Sequence, residues 1–242
     1  MYRERLSRLG GAVVWEQTSA GPHTVLPDGC MDLLWTPGRL FVAGPDTRAY
    51  LPDTPRGSRV AGVRLAPGTA PALLGVAAHE LRDRRIDLAD LRGARQAREQ
   101  TERIDAAADP AAALEALALG LAAAAPRPPD PRLALVVRRL ESGGTVAGAA
   151  EAAGLGARTL HRRSLDAFGY GPKTLARVLR LQRALALIRA GTPYASAALA
   201  AGCADQAHLA REMRDLAGTT LSAYGASANS ETPQPSGSST TA

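Results

Sequence analysis

The first hundred residues alternate short apolar runs with proline and glycine. The runs are AVVWEQ, HTVLP, CMDLLW, RLFVAG and RVAGVRLA. Apolar and polar positions that alternate between turn residues are typical of short β-strands. The triplets Pro27-Asp28-Gly29 and Thr36-Pro37-Gly38 favour tight turns between them. We therefore predict a small β-rich N-terminal unit.

The pattern changes to a helical period after Pro67. The segments APALLGVAAHELRD, 87–107 and 110–125 carry apolar residues at helical spacing. The segment APRPPDP that follows cannot continue a helix, because proline lacks the amide hydrogen that a helix needs. These patterns predict a β-rich domain with trailing helices over residues 1–108. They also predict a helical linker over 109–131 that ends in the proline-rich segment.

Helical patterning dominates from residue 132 onward. The clearest element begins at Pro172, a residue favoured in the first helical turn, and ends at Gly191, a residue favoured just past a helix end. Its apolar residues follow one face, which predicts a long amphipathic helix. We assign residues 132–225 to an all-α domain. Residues 226–242 are polar and without core-forming side chains, so we expect a disordered tail.

An internal repeat lies within the all-α domain. Residues 147–169 align with residues 195–218, and the pairs Gly154 with Gly202 and Gly169 with Gly218 keep the same positions. Each copy has small residues, a glycine and then a segment with arginine and histidine. Small residues allow close helix packing and glycine allows a tight connection, which is typical of a helix-turn-helix unit. The fold class is therefore α+β, with two helix-turn-helix units joined by a long helix.

The second helix of such a unit enters the major groove of DNA. In the first copy Arg158, His161 and Arg162 stand at i, i+3 and i+4, so they share one helix face. In the second copy Asp205 suits an N-cap, after which Gln206 and Arg211 lie outward. Arginine pairs well with guanine and glutamine with adenine. We expect the helix between the units to set both second helices in successive major grooves.

The net charge agrees with a polyanionic partner. The chain carries +6 overall; residues 1–129 carry +1, residues 130–225 carry +6 and residues 226–242 carry −1. Basic charge confined to one domain is the usual electrostatic mark of nucleic-acid binding.

The region from Thr145 to Tyr224 resembles the DNA-binding domain of AraC/XylS-type transcription regulators. The matching residues are RTLHRR, FGYGPKTLARVLRLQRALALI and AAGCADQAHLAREMRDLAGTT. The resemblance implies a sequence-specific regulator that acts on double-stranded DNA. The residues at its DNA-reading positions are Arg158, His161, Arg162, Gln206, Ala207, Ala210 and Arg211. Ser164, Cys203 and Leu221 replace an aromatic residue, a phenylalanine and a proline that are usual in the family, and we expect thinner cores there.

The N-terminal half resembles the sensor region of a subgroup of AraC-like regulators. The matching segments are LPDGCMDLLW, FVAGPDT, GVRLAPGTAPALLGV and ELRDRR. In the wider family such domains bind a small-molecule effector or form a homodimer. Which of the two applies here is not implied.

The rival hypothesis is an enzyme, or a DNA-repair protein that uses an AraC-like module to reach DNA. The candidate catalytic groups are His23, Asp28, Cys30, Asp32 and His79. Catalysis by Cys30 and His23 requires adjacency in space, and repair proteins of this type need a cysteine-rich zinc site, whereas the chain has only two cysteines. We expect both cysteines to be buried apolar residues, and we expect no catalytic site and no cofactor.

Three further patterns complete the expectations. His208 and Glu212 stand at i and i+4 without a third ligand nearby, so we interpret Glu212, together with Arg211 and Asp215, as a solvated or phosphate-facing surface rather than a metal site. The run LRDRR at residues 81–85 is interpreted as a solvated helical end.

Apolar runs are too short to cross a bilayer and the N-terminus lacks an apolar leader, so we expect a cytoplasmic protein with no membrane partner.

Overall fold

The computed structural model describes residues 2–21 and 23–228, which form a sheet-based N-terminal domain and a helical C-terminal domain. The strands are β1 (Tyr2–Leu6), β2 (Val13–Thr18), β3 (Met31–Thr36), β4 (Arg39–Ala43), β5 (Arg59–Leu65) and β6 (Arg85–Asp87). They pair antiparallel in the order β1-β2-β5-β3-β4-β6. The helices of this half are α1 (Ala70–Leu74), α2 (Ala78–Leu81), α3 (Leu88–Arg92), α4 (Ala94–Asp105) and α5 (Pro110–Ala123).

The two faces of the sheet differ because alternate side chains point to opposite sides. On one face Val14, Leu33 and Val63 pack with α1 and α5 in the main N-terminal core. On the other face Trp15 and Leu34 form a smaller buried cluster. This second face lines a cavity that also reaches the C-terminal domain.

The predicted strands at β2, β3, β4 and β5 are confirmed, and the glycines of both predicted turns have positive φ. HTVLP is not a strand, because it makes only one bridge, Val25 to Tyr50, and Pro27 has no amide hydrogen to extend a ladder. The interpretation of LRDRR as a solvated helical end holds for Arg82, Asp83 and Arg84, which are exposed just past α2, but not for Arg85. Helix α2 ends at Leu81, and Arg85 begins strand β6 with its side chain only 13% exposed.

Helix α5, which the sequence places in a linker, packs on the sheet. Leu114, Ala118 and Leu121 belong to the N-terminal core. Glu115 is buried and accepts hydrogen bonds from Arg5 Nη2, Ser7 Oγ and the Arg8 amide, each at 2.7–2.8 Å. These bonds, Arg5 first, lower the pKa of Glu115 to about 2. The helix therefore holds the edge strand β1 in place.

The C-terminal domain has seven helices among the described residues. They are α6 (Pro131–Glu141), α7 (Val146–Ala152), α8 (Ala157–Phe168), α9 (Pro172–Arg189), α10 (Tyr194–Ala201), α11 (Gln206–Ala217) and α12 (Leu221–Ala228). The predicted tail begins at residue 226, but α12 continues to Ala228. The rest of the tail, residues 229–242, lies outside the described residues.

The two domains touch along the C-terminal ends of α8 and α11. Arg82 Nη1 donates to the Gly169 carbonyl at 3.1 Å, and the Ala49 amide donates to the Leu216 carbonyl at 2.7 Å. Gly169 has φ +81°, and a Cβ there would lie 2.6 Å from Pro45. Only glycine meets both conditions, so this residue allows the close approach of the N-terminal domain.

Candidate nucleic-acid interface

The repeat in the sequence is a repeat in the structure. Helices α7 and α8 form the first unit, and α10 and α11 form the second. Gly154 and Gly202, at the two turns, have φ of +63° and +88°. Gly169 and Gly218, which end α8 and α11, have φ of +81° and +64°. Left-handed backbone at equivalent positions gives both units the same turn and the same helix end.

Helix α8 presents the first group of predicted DNA-reading residues. Arg158, His161 and Arg162 are all exposed. Within the described part of the chain, neither arginine makes an ion pair or hydrogen bond. His161 is turned toward the next connection, because its ring would lie 3.1 Å from a Cβ placed on Gly171. Two guanidinium groups are therefore free to meet a ligand, and the imidazole borders them.

The neighbouring Arg163 has a different role. Its Nη1 lies 2.5 Å from Asp130 Oδ2, and Asp130 is also the N-cap of α6, where it accepts the Arg132 amide. Burial would raise the pKa of Asp130, but the hydrogen bonds from Arg132 and the nearby guanidiniums lower it below its usual range. Arg163 thus fastens the inner side of α8 to the start of α6.

Helix α11 presents the second group. Asp205 caps the helix, since its side chain accepts the His208 amide at 2.6 Å. Gln206, Ala207 and Arg211 are exposed as predicted. Ala210 is only partly exposed, because it packs against the core of the second unit. The expectation that Ala210 is a further exposed position therefore holds only in part.

Glu212 is buried, so the interpretation of Glu212 as a solvated surface residue is wrong. Its carboxylate accepts Arg177 Nε at 2.9 Å and Arg180 Nη2 at 2.8 Å, both from α9, and His208 Nε2 lies 3.7 Å away. Arg177 also reaches Asp215 at 2.9 Å. Burial would raise the pKa of Glu212, but the hydrogen bonds from Arg180 and Arg177 outweigh it and lower the pKa. The network joins α11 to α9.

Helix α9 is the spacer between the units. It has 18 residues, a length of about 27 Å at ~1.5 Å per residue. Leu175 and Leu179 belong to the core of the first unit, whereas Val178, Leu181 and Leu185 belong to the core of the second. A buried helix shared by two cores fixes the position of one unit relative to the other.

The candidate catalytic groups fall into two places. His23, Asp28, Cys30 and Asp32 line the cavity on the second face of the sheet, whereas His79 lies on α2, 3.6 Å from Asp166 of α8. Both cysteines are buried, as predicted.

Other charged groups, which the sequence patterns did not identify, share the cavity with these residues. Arg64, Arg85 and Asp46 also line it. Arg64 interrupts the apolar run of β5, and a charged residue at a position where the strand alternation predicts burial is the signal that could have found it.

Two features of other classes of protein are absent from the described residues. No cluster of three or more histidine, cysteine, aspartate or glutamate side chains able to hold a metal ion occurs among them. None of the helices there has the length and apolar character needed to cross a membrane.

Comparison with known proteins gives two family matches. Residues 149–227 match a helix-turn-helix domain, and residues 12–87 match a domain of unknown function, DUF6597. No curated protein matches the chain at a significant level.

Solved structures give further matches. A probable AraC family transcriptional regulator from Rhodopseudomonas palustris is 26% identical, with 41% of this chain and 98% of that chain covered and a TM-score of 0.36. ToxT from Vibrio cholerae is 8% identical, with 93% and 97% covered and a TM-score of 0.49. ToxT bound to (E)-4-(8-methylnaphthalen-1-yl)but-3-enoic acid is 10% identical, with 94% and 99% covered and a TM-score of 0.49.

The matched segments coincide with the two parts of the molecule described above. The helix-turn-helix match begins within α7 and ends within α12, and the other match covers β2 to β6. Residues 149–227 therefore form a helix-turn-helix domain, which follows a domain of unknown function over residues 12–87.

Proposed function

We propose that the protein reads a specific DNA sequence with α8 and α11 in two adjacent major grooves. Arg158 and Arg162 contact bases or phosphates in one groove, with His161 beside them. Gln206 and Arg211 do so in the other, with Ala207 and Ala210 close to the bases. The observation that carries this proposal is the set of exposed arginines without an acidic partner among the described residues, located on the second helices of two equivalent units.

A contrast with three arginines that lie at contacts between helices supports this assignment. Arg163, Arg177 and Arg180 are held by carboxylates inside the domain. A guanidinium already bonded to a carboxylate has little left for DNA, whereas an unpaired one offers a full set of donors for guanine or phosphate. The exposed arginines are thus the ones available for binding.

We further propose that the N-terminal domain regulates DNA binding through an effector or through dimerisation. The segment between β4 and β5 supports a route for an effector. Asp46 and Tyr50 line the cavity, and Ala49 between them donates to the Leu216 carbonyl of α11. A ligand that shifts this segment therefore acts directly on the C-terminal end of α11. Regulation of this kind requires that the ligand bind two states of the protein differently.

The test is selection of bound duplexes from random DNA by the full chain, followed by anisotropy titration on the selected site. We expect the logarithm of the affinity to fall linearly with the logarithm of salt concentration, with a slope of about −0.9 for each phosphate contacted. The double variant Arg158→Ala/Arg162→Ala should lose both affinity and selectivity.

The matched control is Arg95→Ala/Arg98→Ala on α4, where both side chains are largely exposed. It removes the same charge from the other domain. If both double variants lose the same affinity, the proposed interface is wrong and the effect of charge is general. Affinity that does not change with salt would also contradict the proposal.

A further inference from the structure

The cavity on the second face of the sheet has a volume of about 340 Å³. Small-molecule sites in proteins span roughly 300–1,000 Å³. The sheet supplies an apolar wall that includes Trp15, Leu34 and Phe41, and the C-terminal domain closes the far side with Gln182 and Tyr224. The Gln182 side chain donates to the Pro27 carbonyl at 2.7 Å, which ties the two sides together. The cavity is large enough for an organic molecule that contains a ring system.

The inner charges of the cavity do not balance. Asp28 and Asp32 share one guanidinium, because Arg64 Nε lies 3.4 Å from the first carboxylate and 3.7 Å from the second. Asp46 has a guanidinium of its own, since Arg85 donates to both of its oxygens at 2.7 Å. Three carboxylates therefore face two guanidiniums. All five side chains are at most 20% exposed.

Other charged groups of the lining do not correct this excess. Arg39 lies 2.6 Å from Asp87 outside the cavity and is 50% exposed. Asp53 and Arg189 carry opposite charges and are both exposed, and solvent screens charges at such positions. The inner wall thus keeps one negative charge in excess.

The hydrogen bonds of the acidic pair leave room for a ligand. One oxygen of Asp28 accepts the Cys30 amide at 2.8 Å, and one oxygen of Asp32 accepts Trp15 Nε1 at 2.8 Å. A carboxylate has about four acceptor sites, so both groups can accept further donors. Burial and the neighbouring Asp32 raise the pKa of the Asp28 carboxyl although Arg64 lowers it, and a cation bound against the pair would favour the charged form.

We infer that the cavity binds an organic cation, with a protonated amine or amidinium against Asp28 and Asp32 and an apolar ring against the sheet. The inference rests on the proposed regulatory role of the N-terminal domain and names the chemical class of its effector. A carboxylate ligand is disfavoured, because both inner arginines are already bound by aspartates and the acid would face the excess negative charge. A neutral molecule of the same shape gains only the apolar contacts.

The experiment compares ligands that share a body and differ in charge. Tryptamine, tryptophol and indole-3-propionate form one series; 1-naphthylmethylamine, 1-naphthalenemethanol and 1-naphthoate form a second. Each is titrated into the full chain by calorimetry at pH 7. We expect an amine to bind on the order of tenfold more tightly than its alcohol, and the acid to bind more weakly than the alcohol. The inference is overturned if no amine binds up to millimolar concentration, or if an alcohol or acid binds as tightly.

A variant pair locates the effect. Asp28→Asn keeps the shape and the acceptor for the Cys30 amide but removes the charge, so the amine should lose its advantage while the alcohol keeps its affinity. Asp90→Asn removes a carboxylate from the exposed surface of α3 and should change neither affinity. An unchanged amine preference in Asp28→Asn would overturn the assignment. If that variant does not fold, the charge series on the natural chain still decides.

DNA binding is measured separately on the same preparation. Amine binding without salt-dependent DNA binding would leave the cavity assignment intact and refute the proposed regulator. DNA binding without amine binding would refute the cavity assignment and leave the proposed DNA-binding function intact.

Discussion

The two helix-turn-helix units share a backbone but differ in what stabilises them. In the second unit a side chain caps α11, and Glu212 ties that helix to α9. In the first unit Gly156 precedes α8 without a side-chain cap, and the equivalent of Glu212 is Arg163, which pairs instead with Asp130 of α6. The comparison shows that glycines and small residues define the shape of the unit. The residues between them decide how each helix is attached.

The largest expected effect is on the attachment of α11. Replacing Glu212 by Gln leaves Arg180 without its carboxylate and Arg177 with Asp215 alone, and we expect the free energy of unfolding to fall by about 3 kcal/mol. Arg163→Gln at the equivalent position should cost about 1 kcal/mol or less, because that pair is more exposed. Urea denaturation followed by circular dichroism measures both. Equal losses would show that the two attachments are energetically alike.

The same variant gives a pH test. The folded state lowers the pKa of Glu212 below its ordinary value of 4.5, so the carboxylate contributes its full stabilisation above that pH. The contribution is lost as pH falls through the folded pKa. The difference in unfolding free energy between the natural chain and Glu212→Gln should therefore be largest at pH 7 and shrink below about 4.5. Denaturation curves at several pH values measure it, and a difference that stays constant in acid would contradict the assigned role.

The units should also differ in DNA binding. At the predicted DNA-reading positions the first unit has two exposed arginines, and the second has one exposed arginine beside two alanines. We expect Arg162→Ala to cost about 2 kcal/mol of binding free energy and to relax preference at one base pair, and Arg211→Ala to cost about 1 kcal/mol. Anisotropy titrations on the selected site and on single-base variants measure both. A larger loss for Arg211 would make the second unit the main reader.

The N-caps of α8 and α11 differ, and one substitution at each tests the difference. Asp205→Ala should lower the free energy of unfolding by about 1 kcal/mol, because the His208 amide loses its acceptor. Gly156→Asp should raise it by about 0.5 kcal/mol, since Gly156 has extended backbone and open space at its Cβ position. Thermal unfolding of the two variants measures both changes in stability. A destabilised Gly156→Asp would show that the first unit cannot accept this cap.

The smallest effect concerns the core of α8. Ser164 is fully buried and its hydroxyl makes no hydrogen bond within the described residues, whereas the equivalent residue of α11 is Met213. Ser164→Ala removes a buried polar group without a partner and should stabilise the protein by about 0.5 kcal/mol. Chemical denaturation checks the sign. A loss of stability would indicate that the hydroxyl does have a partner in solution.

Much of this fold could be predicted from the sequence because its signals are local. Glycine positions, proline positions and apolar spacing located the four inner strands, the long helix and both units. Strands β1 and β6 were missed because the first is a polar edge strand and the second has three residues. Short or exposed strands carry little of the alternation on which the prediction relies.

The attachments of the candidate site could not be predicted in the same way. Glu212 and Arg177 are 35 residues apart, and Gln182 and Pro27 are 155 residues apart. Spacing along one helix says which residues share its face, but not which partner that face meets. Exposure of Arg158 and Arg162 was predictable, whereas burial of Glu212 and the acidic cavity depend on the tertiary fold.

Helix α9 supplies apolar side chains to the interior of both units at once. Deleting or exchanging one unit would therefore expose the core of the other unit. We therefore expect a DNA target of this domain to tolerate a base change within the stretch read by one unit far better than a base pair inserted between the two stretches. An inserted base pair adds rise and rotation to the DNA, and the rigid helix between the units cannot adjust to either.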